Sequence, residues 1–284
     1  MAEGVALDEA VEFFGEVLGV VSRAFESLRH EENIESQRVS FVNVVSEVPL
    51  EERVTDAVQI RVGAQDEQGH YVLATGDPAD PNLPVQSFTP YHLRDYFVRL
   101  TYDRLDDINF PRRGQQAVVQ WDAYRNASGI VQSADQITAS YLGAYSFGRD
   151  TLAFSAAGGT TLQANVTDLN LQFPLGGFLN LSALRADSLL GPNFGIARAL
   201  FYRQIGRGGP GYFDLPTYLG VSLEMGNVWQ TRSAASFGNT ERDASVWLGV
   251  DTFIGPIYIA TGFDTHGNQQ YYLFLGRPFY GGPR

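Results

Sequence analysis

Two hydrophobic periods divide the chain. Between residues 7 and 28, Leu7, Val11, Phe14, Leu18, Val21, Phe25 and Leu28 recur at alternating steps of four and three, which lays one apolar stripe along a helix. Asp8, Glu9, Glu12, Glu16 and Glu26 cover the opposite side. That face is too acidic for an anionic membrane surface, so the pattern predicts a packing helix, followed by a Glu-rich linker to residue 37. From Arg38 onward the helical period is gone. Short β runs are expected at 39–46, 56–63 and 69–75, closed by the Pro-rich loop GDPADPNLP at 76–84.

After that loop the period is two. Tyr96, Val98, Leu100 and Tyr102 alternate with Phe97, Arg99, Thr101 and Asp103. The stretches 116–123, 136–147 and 150–157 repeat the pattern. In 217–229, Leu219, Val221, Leu223 and Met225 oppose Gly220, Ser222, Glu224 and Gly226; 244–254 and 257–264 alternate in the same way, and 269–279 is aromatic at both ends. Each run is close to the roughly 9–11 residues that carry a tilted strand across a bilayer. A water-soluble sheet would alternate too, with its apolar face inward. Here the second face carries Gly, Ser and single acids where a solvated face carries Lys, Glu and Thr, and aromatics gather at strand ends as interfacial girdles do.

Composition sharpens this choice. Charged residues are 18% of the 284, aromatics 13%, and Gly numbers 30, while no run of about 18 apolar residues could form a spanning helix. The mean hydropathy is only -0.14, as expected where lipid-facing and lumen-facing positions average out. A net charge of -12 argues against nucleic acid as a partner. All 20 basic residues are Arg and Cys is absent, which removes Schiff-base lysines, thiol nucleophiles, disulfides and cysteine-ligated metals. The N-terminus has neither a basic region nor an A-x-A cleavage site, so an exported protein of this sequence is expected to be a piece of a longer chain.

Enzyme motifs are missing where they would be sought. Gly220-Val221-Ser222-Leu223-Glu224 lacks the last Gly of a nucleophile elbow and lies within a strand, so Ser222 is no nucleophile. His30-Glu31 has no second His four residues on, and neither a metal nor a cofactor is expected. Gly206, Gly208 and Gly211 match G-x-G-x-x-G but link two strands, and read as a turn. Inward acids such as Glu224 and Asp251 are better explained as lumen lining paired with Arg than as a hydrolytic pair.

One stretch is more specific. Residues 171–206 read LQFPLGGFLNLSALRADSLLGPNFGIARALFYRQIG, followed by TYLGVSLEMGNVW and, near the end, IATGFDTHGNQQYYLFLGRPF; upstream, 105–114 reads LDDINFPRRG. In this order the residues resemble the C-terminal barrel, of bacterial surface antigen type, of bacterial patatin-like phospholipases. These are single-chain type V secretion members of the outer-membrane barrel-assembly and two-partner-secretion superfamily. The resemblance covers about residues 94–279.

The resemblance implies a lumen loop whose tip in the superfamily is Arg-Gly-Phe. Gly177 and Phe178 fill the last two places and Gly176 stands where the Arg would be, with Leu181 and Ser182 completing the patatin-linked version. It also implies an inward acid two residues before a Gly, here Glu224 and Gly226, with Arg185, Arg198 or Arg203 as its counter-charge. The final strand, with Tyr271, Leu273, Leu275 and Phe279, would carry the insertion signal read by the barrel-assembly machinery, although five residues follow Phe279. The hydrolase's Ser–Asp dyad and oxyanion loop are absent from these residues.

The fold expected is therefore all-β: an antiparallel transmembrane β-barrel of about 11–12 strands, short of the superfamily's sixteen. It would span 38–284, behind an N-terminal amphipathic helix and linker in 1–37. The function expected is anchoring or translocation of a patatin-like passenger encoded upstream, with this chain itself catalytically inert, in the bacterial outer membrane and in contact with its lipid. Homodimerisation is left open. The alternatives are a free-standing structural or self-association barrel, and a soluble all-β binding protein.

Overall fold

The computed structural model describes residues 39–53, 57–73, 90–129, 132–163, 171–207 and 215–278, with side chains for all of these but 39–53, 70–73, 128–129 and 207. The expected helix at 7–28, the Pro-rich loop, Gly208, Gly211 and Phe279 lie outside the described residues. The chain forms two compact units, residues 1–41 with 71–89 and residues 42–70 with 90–284, and the second holds nearly all of the sheet.

Alternation dictates the architecture. Eleven long strands form one sheet in chain order: β1 (Val39–Arg53), β2 (Val58–Leu73), β3 (Pro90–Asp103), β4 (Gly114–Gly129), β5 (Ala134–Phe147), β6 (Asp150–Thr161), β9 (Asn193–Arg207), β10 (Pro216–Trp229), β11 (Glu241–Thr252), β12 (Gly255–Asp264) and β13 (Gln269–Leu275). Two three-residue strands, β7 (Phe173–Leu175) and β8 (Leu189–Gly191), make a separate hairpin inside the connection from β6 to β9. From β2 to β13 each pairing in the large sheet is antiparallel. Its ends are β1 and β13, and no pairing joins them among the described residues.

Three boundaries depart from the sequence reading. The runs expected at 56–63 and 69–75 belong to one strand, β2, whose pairing with β3 continues unbroken from Val58 through Gln65 and Glu67 to His70; neighbour pairing overrides the polar Gln65–Gln68 interruption. Strands β3 to β6 run longer than their alternating apolar cores, because a lumen-facing polar residue costs nothing that would end a strand. The last strand stops at Leu275, not Phe279: Gly276 takes φ +138, and Pro278 has no N–H to continue a ladder.

The two faces of the sheet are inverted relative to a soluble protein. Tyr96, Val98 and Leu100 on β3, Ile137 and Tyr141 on β5, Phe154 on β6, and Leu219, Val221 and Leu223 on β10 all point outward and are exposed, Leu223 by 67%. Val246 on β11 is exposed beside them, with Leu248, Ile257 and Ile259 half-covered on the same side. Facing inward and buried are Gln120, Asp122, Gln136, Thr138, Ser155, Arg198, Ser222, Glu224, Asp243 and Ser245. A continuous apolar exterior of this extent exceeds what a protein surface in water carries.

If the exterior meets lipid, Leu223→Arg at the middle of β10 should lower folding stability in vesicles by about 2–4 kcal/mol. The same change on a water-facing surface would stay within about 0.5 kcal/mol. Denaturant titration of the refolded protein reads the difference.

Candidate functional site

The inward face is filled by two loops that enter from opposite ends. The first joins β3 to β4. Asp106 Oδ1 accepts the Arg112 and Arg113 N–H groups at 2.8 Å each, and Asp107 Oδ1 accepts those of Asn109 and Phe110 at 2.7 and 2.8 Å, so the acids of LDDINFPRRG tie off their own turn. This drives Phe110 inward, where its ring stacks on Tyr218 with centroids 4.1 Å apart and leans on Tyr258 at 5.4 Å. Gly249 leaves the seat, since a Cβ there would come within 2.9 Å of the Phe110 ring. Tyr202 donates its hydroxyl to the Pro111 carbonyl.

The second loop runs from Leu171 to Pro192, with the β7–β8 hairpin as its stem. Its tip is a knuckle: Gly176 and Gly177 take φ +118 and +106, and Leu179 and Leu181 take φ +54 and +73. A Cβ on Gly176 would collide with the Arg185 carbonyl oxygen, so only glycine closes this turn. Bulky residues at positive φ are strained by about 1–3 kcal/mol each, so something outside the loop must hold Leu179 and Leu181 in place.

That restraint comes from two carboxylates on the wall. Glu224 on β10 accepts the Leu181 and Ser182 N–H groups through Oε2 at 2.8 and 2.9 Å, and the Ser182 and Ser222 hydroxyls through Oε1 at 2.6 Å each. Asp243, its register partner on β11, accepts the Ala183 N–H at 2.7 Å. Three successive main-chain donors are thus met by acids on adjacent strands. On the far side, a Cβ at Gly262 of β12 would collide with the Ser182 carbonyl, so the missing side chain is what lets the loop reach the wall. Tyr272 donates to the Ser182 and Leu184 carbonyls at 2.9 and 2.8 Å. Phe178 packs between Tyr258, Tyr272 and Phe274 at 5.3 to 5.8 Å. Phe110 and Phe178, arriving from opposite ends, therefore share the Tyr258 ring.

The residues singled out from the sequence divide accordingly. Gly176, Gly177, Phe178, Leu181, Ser182, Arg198 and Glu224 come together here. The Arg–Glu224 ion pair does not form: among the described residues no arginine lies within 4.0 Å of Glu224, because four donors already fill its two oxygens. Arg198, opposite Glu224 in register and 5% exposed, instead donates to Asn180 Oδ1 of the loop at 3.1 Å and to Ser155 Oγ at 3.2 Å. Arg203 is not inward; it lies on the outer face, 3.4 Å from Asp150. Arg185 is exposed as well, beyond the knuckle. Asp251 accepts from Asn109 Nδ2 at 2.8 Å and so belongs with the first loop. Tyr271, Leu273 and Leu275 of the last strand face outward.

Sequence reasoning misses Asp243. Its signal is present in the inward phase of Trp247 and Gly249, which runs back to residue 243 once the strand is allowed to begin at Glu241. Tyr258 and Tyr272 carry no signal of their own, since an aromatic at an inward position reads equally well as girdle or core.

No protein-family model matches the sequence, and no curated protein matches it. Among solved structures the fold is similar to BamA from Haemophilus ducreyi lacking POTRA domains 1-3, with a TM-score of 0.61 at 12% identity, over 83% of this chain and 53% of that one. The chain thus spans about half the length of that structure. Together with the antiparallel ladder, this likeness makes the fold that of an outer-membrane β-barrel.

Removing the Glu224 side chain orphans two buried N–H groups and removing Asp243 orphans one. At about 1–3 kcal/mol for each unsatisfied group, Glu224→Ala should destabilise by about 2–6 kcal/mol and Asp243→Ala by about 1–3 kcal/mol. Heat-modifiability on gels would rank the two, and Glu224→Ala should also speed trypsin cleavage at Arg185.

Proposed function

We propose that this chain is an outer-membrane β-barrel module that anchors or translocates a patatin-like phospholipase domain lying outside these 284 residues. The observation that carries the membrane part is the inversion of faces: apolar side chains exposed outside, polar and charged ones buried inside. In lipid, only a sheet whose backbone groups pair with neighbouring strands can span. A transmembrane barrel alternates apolar-out with polar-in.

The sequence resemblance supports the passenger. The Gly-Gly-Phe and Leu-Ser pattern of 176–182 is that of the patatin-linked branch, and in this chain it forms a buried knuckle held by Glu224 and Asp243. The chain's own part is mechanical. Two loops fill the inward face around Tyr258, and no serine among the described residues stands in an elbow with a base and oxyanion donors. Lipid acyl hydrolysis belongs to the passenger.

Two measurements test this. Expressed behind an export signal, the chain should fractionate with the outer membrane and shift on gels when heated; a monodisperse preparation without detergent would contradict the membrane part. Purified alone, it should show no turnover of p-nitrophenyl esters, whereas the natural gene product including its upstream in-frame region should hydrolyse phospholipid. An upstream region without a serine hydrolase domain would overturn the passenger.

A further inference from the structure

Strand β12 has turns of opposite character at its two ends. At one end it passes into β13 through residues 265–268, where Asp264 Oδ1 accepts the His266 and Asn268 N–H groups at 2.8 and 2.9 Å and Gly267 takes φ +91. That is the chemistry of a turn in water. At the other end, Thr252 of β11 pairs with Gly255 of β12, and Phe253 and Ile254 alone make the turn. Phe253 is 97% exposed and Ile254 59%.

Turn geometry does not call for these two residues. Two-residue hairpins favour Gly, Asn and Asp, and the β5–β6 turn at the same end of the sheet obeys that preference: Gly148 takes φ +66 and Arg149 follows it, both exposed. In the β11–β12 turn the positive φ, +115, falls on Gly255 instead. The apolar pair continues the outward face. Val250 and Ile257, half-covered, pair just behind the turn, and Leu275 on β13, 59% exposed, comes within 4.0 Å of where a Cβ on Gly255 would stand. The main chain suits an apolar neighbour, because the Thr252 hydroxyl donates to the Gly255 carbonyl at 2.5 Å and the Gly276 N–H to the Pro256 carbonyl at 3.0 Å.

We propose that Phe253 and Ile254 dock in the lipid layer, at the boundary between headgroups and acyl chains, so that this turn lies within the membrane while the Gly148-Arg149 turn at the same end meets water. The proposal rests on the membrane reading above and adds where on the molecule the lipid stops. Lipid, and not a protein partner, is favoured by continuity: among the described residues no charged side chain separates the tip from the outward strip of Val250, Ile257 and Leu275. A protein-docking patch is rimmed by polar residues. Asp251, the nearest acid on β11, points inward to Asn109.

The test uses the full chain refolded into phosphatidylcholine vesicles. Because the sequence has no cysteine, the variants Phe253→Cys, Ile254→Cys, Arg149→Cys and Val221→Cys can each carry one environment-sensitive fluorophore, and the heat-dependent gel shift of each checks that it has folded. Labels at Phe253 and Ile254 should emit at shorter wavelength than one at Arg149, be quenched by a nitroxide on the lipid acyl chain, and be shielded from iodide in the water. The label at Arg149 should be open to iodide. The label at Val221 separates two failures, since the nitroxide should quench it if the outer face meets lipid at all. Iodide that reaches Phe253 and Ile254 as readily as Arg149, with Val221 still quenched by the nitroxide, overturns the docking and leaves the barrel reading standing. Loss of nitroxide quenching at Val221 removes both. Labels at Phe253 and Ile254 that neither quencher reaches place a protein surface over the turn, and that result also overturns the proposal.

Discussion

Four donors converge on the Glu224 carboxylate, and the arrangement of the lumen follows from that meeting. A strained knuckle with two leucines at positive φ has no reason to persist in water. Inside the barrel its N–H groups have no solvent to return to, so any conformation that leaves the two acids also leaves buried donors unpaired. The restraint and the strain are therefore coupled: the wall holds the knuckle, and the knuckle gives three main-chain N–H groups and the Ser182 hydroxyl to a pair of carboxylates that sit side by side. Arg198 completes the arrangement without touching either acid, by bracing Asn180 and adding positive charge across the register.

With the loop in place the small inward residues make sense. Gly262 is where the Ser182 backbone lies and Gly249 is where Phe110 lies. These are the positions that a solvated sheet face would have filled with longer polar side chains. Among the described residues, the apolar side chains on the other face stay exposed. The low charge, the abundance of Gly and Tyr and the near-neutral mean hydropathy are thus one fact seen three ways: a sheet with lipid-compatible side chains outside and a loop-filled polar and aromatic inside.

Much of this is legible in the sequence. The period of two locates the strands, and the chemistry of the second face, rather than the alternation itself, separates a barrel from a sandwich. Less is legible about partners. The charge at Glu224 points to an arginine, but a carboxylate in a lumen can be satisfied by main-chain N–H groups, which leave no mark on the sequence. Arg203 offers itself as an inward charge, although it shares its phase with Phe201 and Ile205, both exposed. Aromatics near strand ends suggest girdles, yet Tyr202, Tyr218, Trp247 and Tyr258 point inward and form the core, because ring position along a strand says nothing of which face it takes.

As a barrel wall, β10 has lipid on one side and a filled lumen on the other. Because the chain has no cysteine, single cysteines can be introduced in turn from Leu219 to Leu223, spin-labelled, and tested in vesicles for collision with oxygen and with a water-soluble nickel chelate. Labels at Leu219, Val221 and Leu223 should relax with oxygen and not with the chelate, while those at Gly220 and Ser222 should respond to neither. Labels at Leu219, Val221 and Leu223 that the chelate reaches as readily as a label in the exposed Phe237 loop would contradict that placement.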